Sequence, residues 1–154
     1  PTPVFMPVGT RAAVKLLDTS DLDALGPPVV LANTYHLMLR PGSELVAGPG
    51  GLHRFMAWGG HLLTDSGGYQ VFSLNPKITE DGARFRSVYD GALIELSPER
   101  AMTIQQELGA DIAMVLDVCT GLPAEPAHPR PGREEFKRFA QSIIVGIVLP
   151  RPTP

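Results

Sequence analysis

Apolar residues in this chain fall in short runs separated by polar, glycine-rich or proline-rich stretches, a pattern of small buried strands alternating with helices. Residues 4–8, with Val4, Phe5, Met6 and Val8, predict a first buried strand, and residues 29–32 a second. Between them, residues 20–25 read as a short helix with Ser20 as its cap, closed by Gly26-Pro27-Pro28. Between residues 41 and 60, Leu45, Leu52, Phe55 and Met56 predict helical pieces broken by Gly48-Pro49-Gly50-Gly51, with Phe55 and Trp58 as packing groups. Residues 61–64 predict a third strand. From 71 to 96, alternation of Phe85, Val88, Leu93, Ile94 and Leu96 around Asp81-Gly82 and Asp90-Gly91 predicts inserted β-hairpins in place of a crossover helix. Ser97-Pro98-Glu99 then opens a helix: a hydroxyl cap, proline at the first helical position, Ala101, Ile104 and Leu108 on one face, and Gly109 as the stop. Residues 112–116 predict a fourth strand.

Compact apolar strands alternating with helical stretches predict an α/β fold whose strands run parallel, each βα loop carrying polar residues. In such folds ligand-binding groups gather at the C-terminal ends of the strands. Three sets of polar residues occupy those places: Asn33-Thr34-Tyr35-His36, Asp65-Ser66, and Asp117 with Cys119. His36 reads as structural.

The densest chemistry lies in Thr64-Asp65-Ser66-Gly67-Gly68-Tyr69-Gln70. The glycines let the backbone turn tightly and approach a flat ligand, Asp65 offers a group for proton transfer, and Tyr69 offers a stacking face. Asp, Ser and Gly-Gly also serve simply to turn the chain after a strand. Asp117 has the same plain reading as a cap, and Cys119 as a small buried apolar residue.

With 154 residues, 44% of them hydrophobic and 19% charged, the chain has the composition of one globular domain with its own core. A net charge of -3 gives no broad basic surface for nucleic acid or an anionic membrane, so any such partner needs a local patch. A lone cysteine excludes an internal disulfide framework, no charged-then-apolar leader opens the chain, and the apolar run 143–149 is far short of a bilayer span. A soluble protein of the reducing cytoplasm is the expectation. The four histidines, at 36, 53, 61 and 128, show no metal-ligand spacing. After Thr120 the character changes. Residues 121–132 are rich in proline, 133–142 predict an amphipathic helix, and the tail Pro150-Arg151-Pro152-Thr153-Pro154 continues no element. Arg130, Arg133, Lys137 and Arg138 form a modest basic cluster that reads first as a solvated helix face and second as a nucleic-acid contact.

Five segments in order are similar to the N-terminal half of the tRNA-guanine transglycosylase family, also called queuine tRNA-ribosyltransferase. They are Thr2-Pro3-Val4-Phe5-Met6-Pro7-Val8-Gly9-Thr10, Asn33-Thr34-Tyr35-His36-Leu37, Leu39-Arg40-Pro41-Gly42, residues 64–72, and Asp117-Val118-Cys119-Thr120. The resemblance implies a (β/α)8 TIM barrel with inserted β-structure. Residues 1–123 would be its N-terminal half, about four βα units, and 124–154 a proline-rich loop, helix and atypical tail. A whole barrel takes about 250 residues, so a fragment is expected. The implied reaction replaces guanine at the wobble position of tRNA by a 7-deazaguanine, such as 7-aminomethyl-7-deazaguanine, through a covalent aspartyl-ribose intermediate, on the route to queuosine. No redox cofactor is implied.

By resemblance Asp65 is the general acid/base and also contacts the base. Asp117 accepts hydrogen bonds from the guanine edge, Tyr69 stacks on the ring and Ser66-Gly67-Gly68 lies beneath it. Asn33 and Gln70 reach the ribose, and Cys119 sits near the substituent of the deazaguanine. Val118 stands where bacterial relatives often carry Glu, which loosens the identity of the incoming base. The family's nucleophile and its zinc ligands are expected beyond residue 154, so this chain alone is expected to be inactive and to hold no metal. The resemblance also implies a homodimer for the full-length protein. A catalytically silent family subunit is the alternative, and the pair Asp65 and Asp117 weighs against it. An unrelated, complete α/β domain of flavodoxin type is a second, and the inserted hairpins weigh against that.

Overall fold

The computed structural model describes residues 3–79 and 81–116. Their elements run α1 (Thr19–Leu25), β1 (Val29–Ala32), α2 (Thr34–Leu39), α3 (Ser43–Ala47), α4 (Leu52–Phe55), β2 (His61–Thr64), α5 (Gly68–Phe72), β3 (Lys77–Thr79), β4 (Gly82–Arg86), β5 (Leu93–Leu96), α6 (Pro98–Leu108) and β6 (Ile112–Ala113). The described part is mixed α/β. One sheet is parallel, in the order β1-β2-β6, and the other antiparallel, in the order β3-β4-β5.

The parallel sheet follows from the apolar runs. Val30 and Ala32 of β1 and Leu62 and Thr64 of β2 are fully buried, and they lie beside Leu37, Val46, Leu52, Trp58, Ile104 and Leu108 in one core. Each buried leucine there contributes about 1.5–3 kcal/mol, whereas the exposed Arg84–Glu95 pair contributes about 0–1 kcal/mol, so packing and not ion pairing holds the fold. The predicted hairpins are present as β3, β4 and β5, with Phe85 and Leu96 turned inward. The Phe85 ring lies 5.8 Å from that of Tyr35, joining the antiparallel sheet to α2.

Helix α6 has the predicted bounds. Ser97 Oγ accepts the backbone N–H of Arg100 at 3.1 Å, and Gly109 closes the helix in the left-handed region. At the opposite end of the sheet from the strand C-termini, Asp111 Oδ2 accepts the Leu62 N–H at 2.8 Å and lies 3.0 Å from His53 Nε2. This carboxylate ties the turn before β6 to the start of β2 and to α4.

Five expectations need correction. Residues 4–8 form no buried strand: Val4 and Phe5 are 57% and 80% exposed, and only Val8 bridges, in parallel, to Leu31. Without side chains buried against the core, apolar content alone does not make this segment a strand. Helix α1 is capped by Asp18, not Ser20, because its carboxylate reaches the Asp21 N–H at 2.9 Å while Asp21 bonds back to the Asp18 N–H at 3.0 Å. Thr34-Tyr35-His36, read as part of a polar βα loop, form the first half of α2. The fourth strand spans two residues, not five. Phe55, expected to pack, is 40% exposed, whereas Trp58 is buried. No helix among the described residues is long and apolar enough to cross a membrane.

Candidate functional site

The parallel register pairs Ala32 with Thr64, so the next residues, Asn33 and Asp65, emerge side by side at the C-terminal end of the sheet. Adjacent strands lie about 4.8 Å apart, close enough for these two side chains to meet directly. Asn33 Nδ2 donates to Asp65 Oδ2. Asp65 Oδ1 accepts two backbone N–H groups, from Thr34 at 2.8 Å and from Gly67 at 3.1 Å. The Thr34 hydroxyl donates to the Asp65 carbonyl at 2.5 Å, and the Asp65 N–H donates to the Ala32 carbonyl at 3.2 Å. Asn33 occupies the cap position of α2 but makes no capping bond itself. The cap comes from the neighbouring strand, through Asp65.

The loop after Asp65 is tightly fitted. Gly67 has φ +79°, and a Cβ there would stand 3.4 Å from the backbone nitrogen of Tyr35, so glycine serves both the turn and the approach to α2. Ser66 is buried, and its Oγ accepts the Gly68 N–H at 3.2 Å. The chain then enters α5, where Tyr69 is 70% exposed. A flat ring beside Asp65 would thus have an aromatic face within the same loop-helix unit. Gln70 follows on α5, half-buried, and takes no part in the bonds to Asp65. Of the predicted site residues, Asn33, Asp65, Ser66, Gly67 and Gly68 come together, with Tyr69 and Gln70 next to them. Asp117 and Cys119 lie outside the described residues, as does the basic cluster at 130–138.

Two participants, Gln105 and Tyr89, were not singled out in the sequence, and Thr34 was named only within the polar set at 33–36. Thr34 contributes both its backbone N–H and its hydroxyl to Asp65. Gln105, fully buried on α6, bonds to Thr64 and to Met114. Its signal was an amide at position 105, on the core face marked by Ala101, Ile104 and Leu108. Tyr89 lies with its hydroxyl 3.2 Å from His36 Nδ1 and its ring 4.8 Å beneath the Arg40 guanidinium, fastening α2 to the turn between β4 and β5. Next to this cluster, burial pushes the Tyr35 hydroxyl above its usual pKa, with the Val88 backbone opposing the shift. No well-formed hydrogen bond satisfies it.

An open cleft of about 880 Å³ lies elsewhere, along residues 8–15 and Arg40, Pro41 and Phe55, and contains none of the predicted site residues.

Comparison of the sequence with known proteins finds relatives over most of its length. The family described as Queuine tRNA-ribosyltransferase matches residues 1–144. A queuine tRNA-ribosyltransferase of Herpetosiphon aurantiacus is 53% identical over 145 residues, covering 93% of this chain and 37% of its own length. One from Dichelobacter nodosus is 57% identical over 125 residues, 80% of this chain and 34% of its own. One from a Nostoc species is 51% identical over 145 residues, 93% of this chain and 39% of its own. The chain therefore spans well under half the length of these relatives. Matched along nearly all its residues, the chain belongs to the queuine tRNA-ribosyltransferase family.

Proposed function

We propose that this chain is the base-recognition part of an enzyme that exchanges guanine in tRNA for a 7-deazaguanine. The observation that carries the reading is the meeting of Asn33 and Asp65 at the C-terminal end of the parallel sheet, with the exposed Tyr69 ring four residues on. In this reading residues 1–123 are the first part of a (β/α)8 barrel, although the family match itself runs on to residue 144.

In the proposed reaction an aspartate from the rest of the protein attacks the ribose anomeric carbon. As the new C–O bond forms, the bond from that carbon to guanine breaks, and the departing base takes a proton from Asp65. The incoming deazaguanine gives a proton back to Asp65 as its ring nitrogen displaces the aspartyl oxygen. Splitting one substitution into two steps preserves the configuration of the sugar. Asp117 selects guanine-like edges, since a carboxylate pairs with a ring N–H and an exocyclic amine that adenine does not present together. Tyr69 stacks on the base, Ser66-Gly67-Gly68 supports it, Asn33 and Gln70 reach the ribose, and Cys119 lies toward the substituent. The partners in this reading are tRNA and the free bases, in a cytoplasmic enzyme that pairs as a homodimer at full length. The resemblance implies zinc in the family, but among the described residues no group of three His, Cys, Asp or Glu side chains comes together to hold a metal. No step is routed through one.

A second reading has its own observation. The Asp65 carboxylate accepts three hydrogen bonds from within the chain, so capping α2 would account for it in a catalytically silent subunit. The test is a chimera in which residues 1–144 replace the matching segment of the Herpetosiphon aurantiacus relative. The chimera is expected to exchange labelled guanine into tRNA, and Asp65→Asn to abolish exchange with the fold intact. Undiminished exchange in the variant would remove Asp65 from the chemistry.

A further inference from the structure

We infer that Gln105 is a positioning residue that fixes the C-terminal ends of β2 and β6 relative to each other, and so sets where Asp65 stands. The inference rests on the proposed role of Asp65. The ladder between these strands is short: only Leu63–Ile112 and Thr64–Ala113 are paired. Where it stops, the Gln105 amide takes over. Its Oε1 accepts the Thr64 hydroxyl at 2.9 Å and the Met114 N–H at 2.9 Å, and its Nε2 donates to the Met114 carbonyl at 3.0 Å. The Met114 N–H is shared with the Thr64 carbonyl at 3.0 Å. The orientation of the amide is dictated by its partners, since a backbone N–H only donates and a carbonyl only accepts. Gln105 and Thr64 are both buried, so water offers no substitute for the bond between them.

Thr64 directly precedes Asp65, and Met114 lies three residues before Asp117 in the sequence. One side chain thus grips the roots of both segments that carry the proposed acids. A leucine or methionine would fill the same space, and the core would tolerate it, but beyond the ladder the strand ends would be joined only by the Met114 N–H to Thr64 carbonyl bond at 3.0 Å. The choice of an amide at a buried helix position follows from that task.

Two substitutions test this. Gln105→Met keeps the volume and removes the bonds. Gln105→Glu keeps the shape but sets a carboxylate oxygen against the Met114 carbonyl, a contact that only the protonated acid can turn into a hydrogen bond. In amide NMR spectra of the 154-residue chain, Gln105→Met is expected to shift the Asp65 and Gly67 resonances and to speed hydrogen exchange at Met114 by about tenfold or more. Gln105→Glu is expected to show the same displacement at about pH 8 and to return toward the parent spectrum at about pH 5. In the chimera, Gln105→Met should lower kcat by about 10- to 100-fold while KM for tRNA stays within about twofold. Parent-like Asp65 and Gly67 resonances in both variants, or a parent-like kcat, would overturn the inference. If the unsubstituted chimera showed no exchange, the functional reading would fail while the spectra still decided the role of Gln105.

Discussion

Asp65 caps a helix that belongs to the neighbouring βα unit: its Oδ1 accepts the Thr34 N–H at 2.8 Å while the Thr34 hydroxyl returns a bond to the Asp65 carbonyl. A side chain proposed for proton transfer is thereby held by the backbone of one element and the turn of another. Its geometry is fixed before any ligand arrives.

This arrangement separates two substitutions. In Asp65→Asn the remaining carbonyl oxygen still accepts from Thr34 and Gly67, and a rotation of the Asn33 amide restores the third bond. The cost in urea unfolding should stay below about 1 kcal/mol. Asp65→Ala leaves the Thr34 N–H without its acceptor and should cost about 1–2 kcal/mol. Exchange into tRNA should vanish in both. Equal stability losses for the two would show that the cap is not what Asp65 contributes to folding.

Gly67→Ala should lower stability by about 1–2 kcal/mol, the cost of placing a Cβ in the left-handed region, because φ is +79° there. The new methyl would also press on the Tyr35 backbone at 3.4 Å, so base binding measured by calorimetry should weaken along with the unfolding midpoint. An unchanged midpoint would mean that the turn relaxes freely.

Tyr35→Phe should stabilise the chain by about 1 kcal/mol, since the buried hydroxyl lacks a well-formed hydrogen bond and is costly to bury. Burial raises the folded-state pKa above the ordinary 10.0. This group therefore adds no pH dependence below pH 10, and the parent loses further stability as pH rises from there through the folded-state value, because the unfolded chain ionises first. Unfolding curves of the parent and the variant should diverge further above about pH 10. Parallel curves would contradict the burial argument.

Asp18 offers the opposite sign. The Ser20 hydroxyl and then the Asp21 backbone N–H hold its carboxyl below the usual value of 3.8. Its capping contribution is present above that value and disappears as pH falls through the lower folded-state pKa. Amide exchange in α1 should quicken below about pH 4 in the parent, and Asp18→Ala should show the quick rate at every pH. A rate in α1 that does not change with acid would exclude the capping box as its anchor.

The legible parts of this protein were those with local causes. Ser97, Pro98 and Gly109 framed α6 because caps and helix stops act within a few residues. The turns at Asp81-Gly82 and Asp90-Gly91 marked the hairpins for the same reason. The miss at residues 4–8 came from reading apolar content as burial, when Phe5 has no core to enter among the described residues. Helix α2 was missed because its cap lies 31 residues away, in Asp65, and no local signal announces it.

By itself the sequence determined which residue types were available for chemistry, the alternation of compact strands with helices, and membership of a family through motifs in fixed order. Only the tertiary structure decided that Asn33 and Asp65 touch, that Thr34 and Gly67 hold the carboxylate, and that Gln105 binds the ends of β2 and β6. The reason is physical: these bonds depend on strand register and on helix placement against the sheet, and both are settled by packing between residues far apart in the chain.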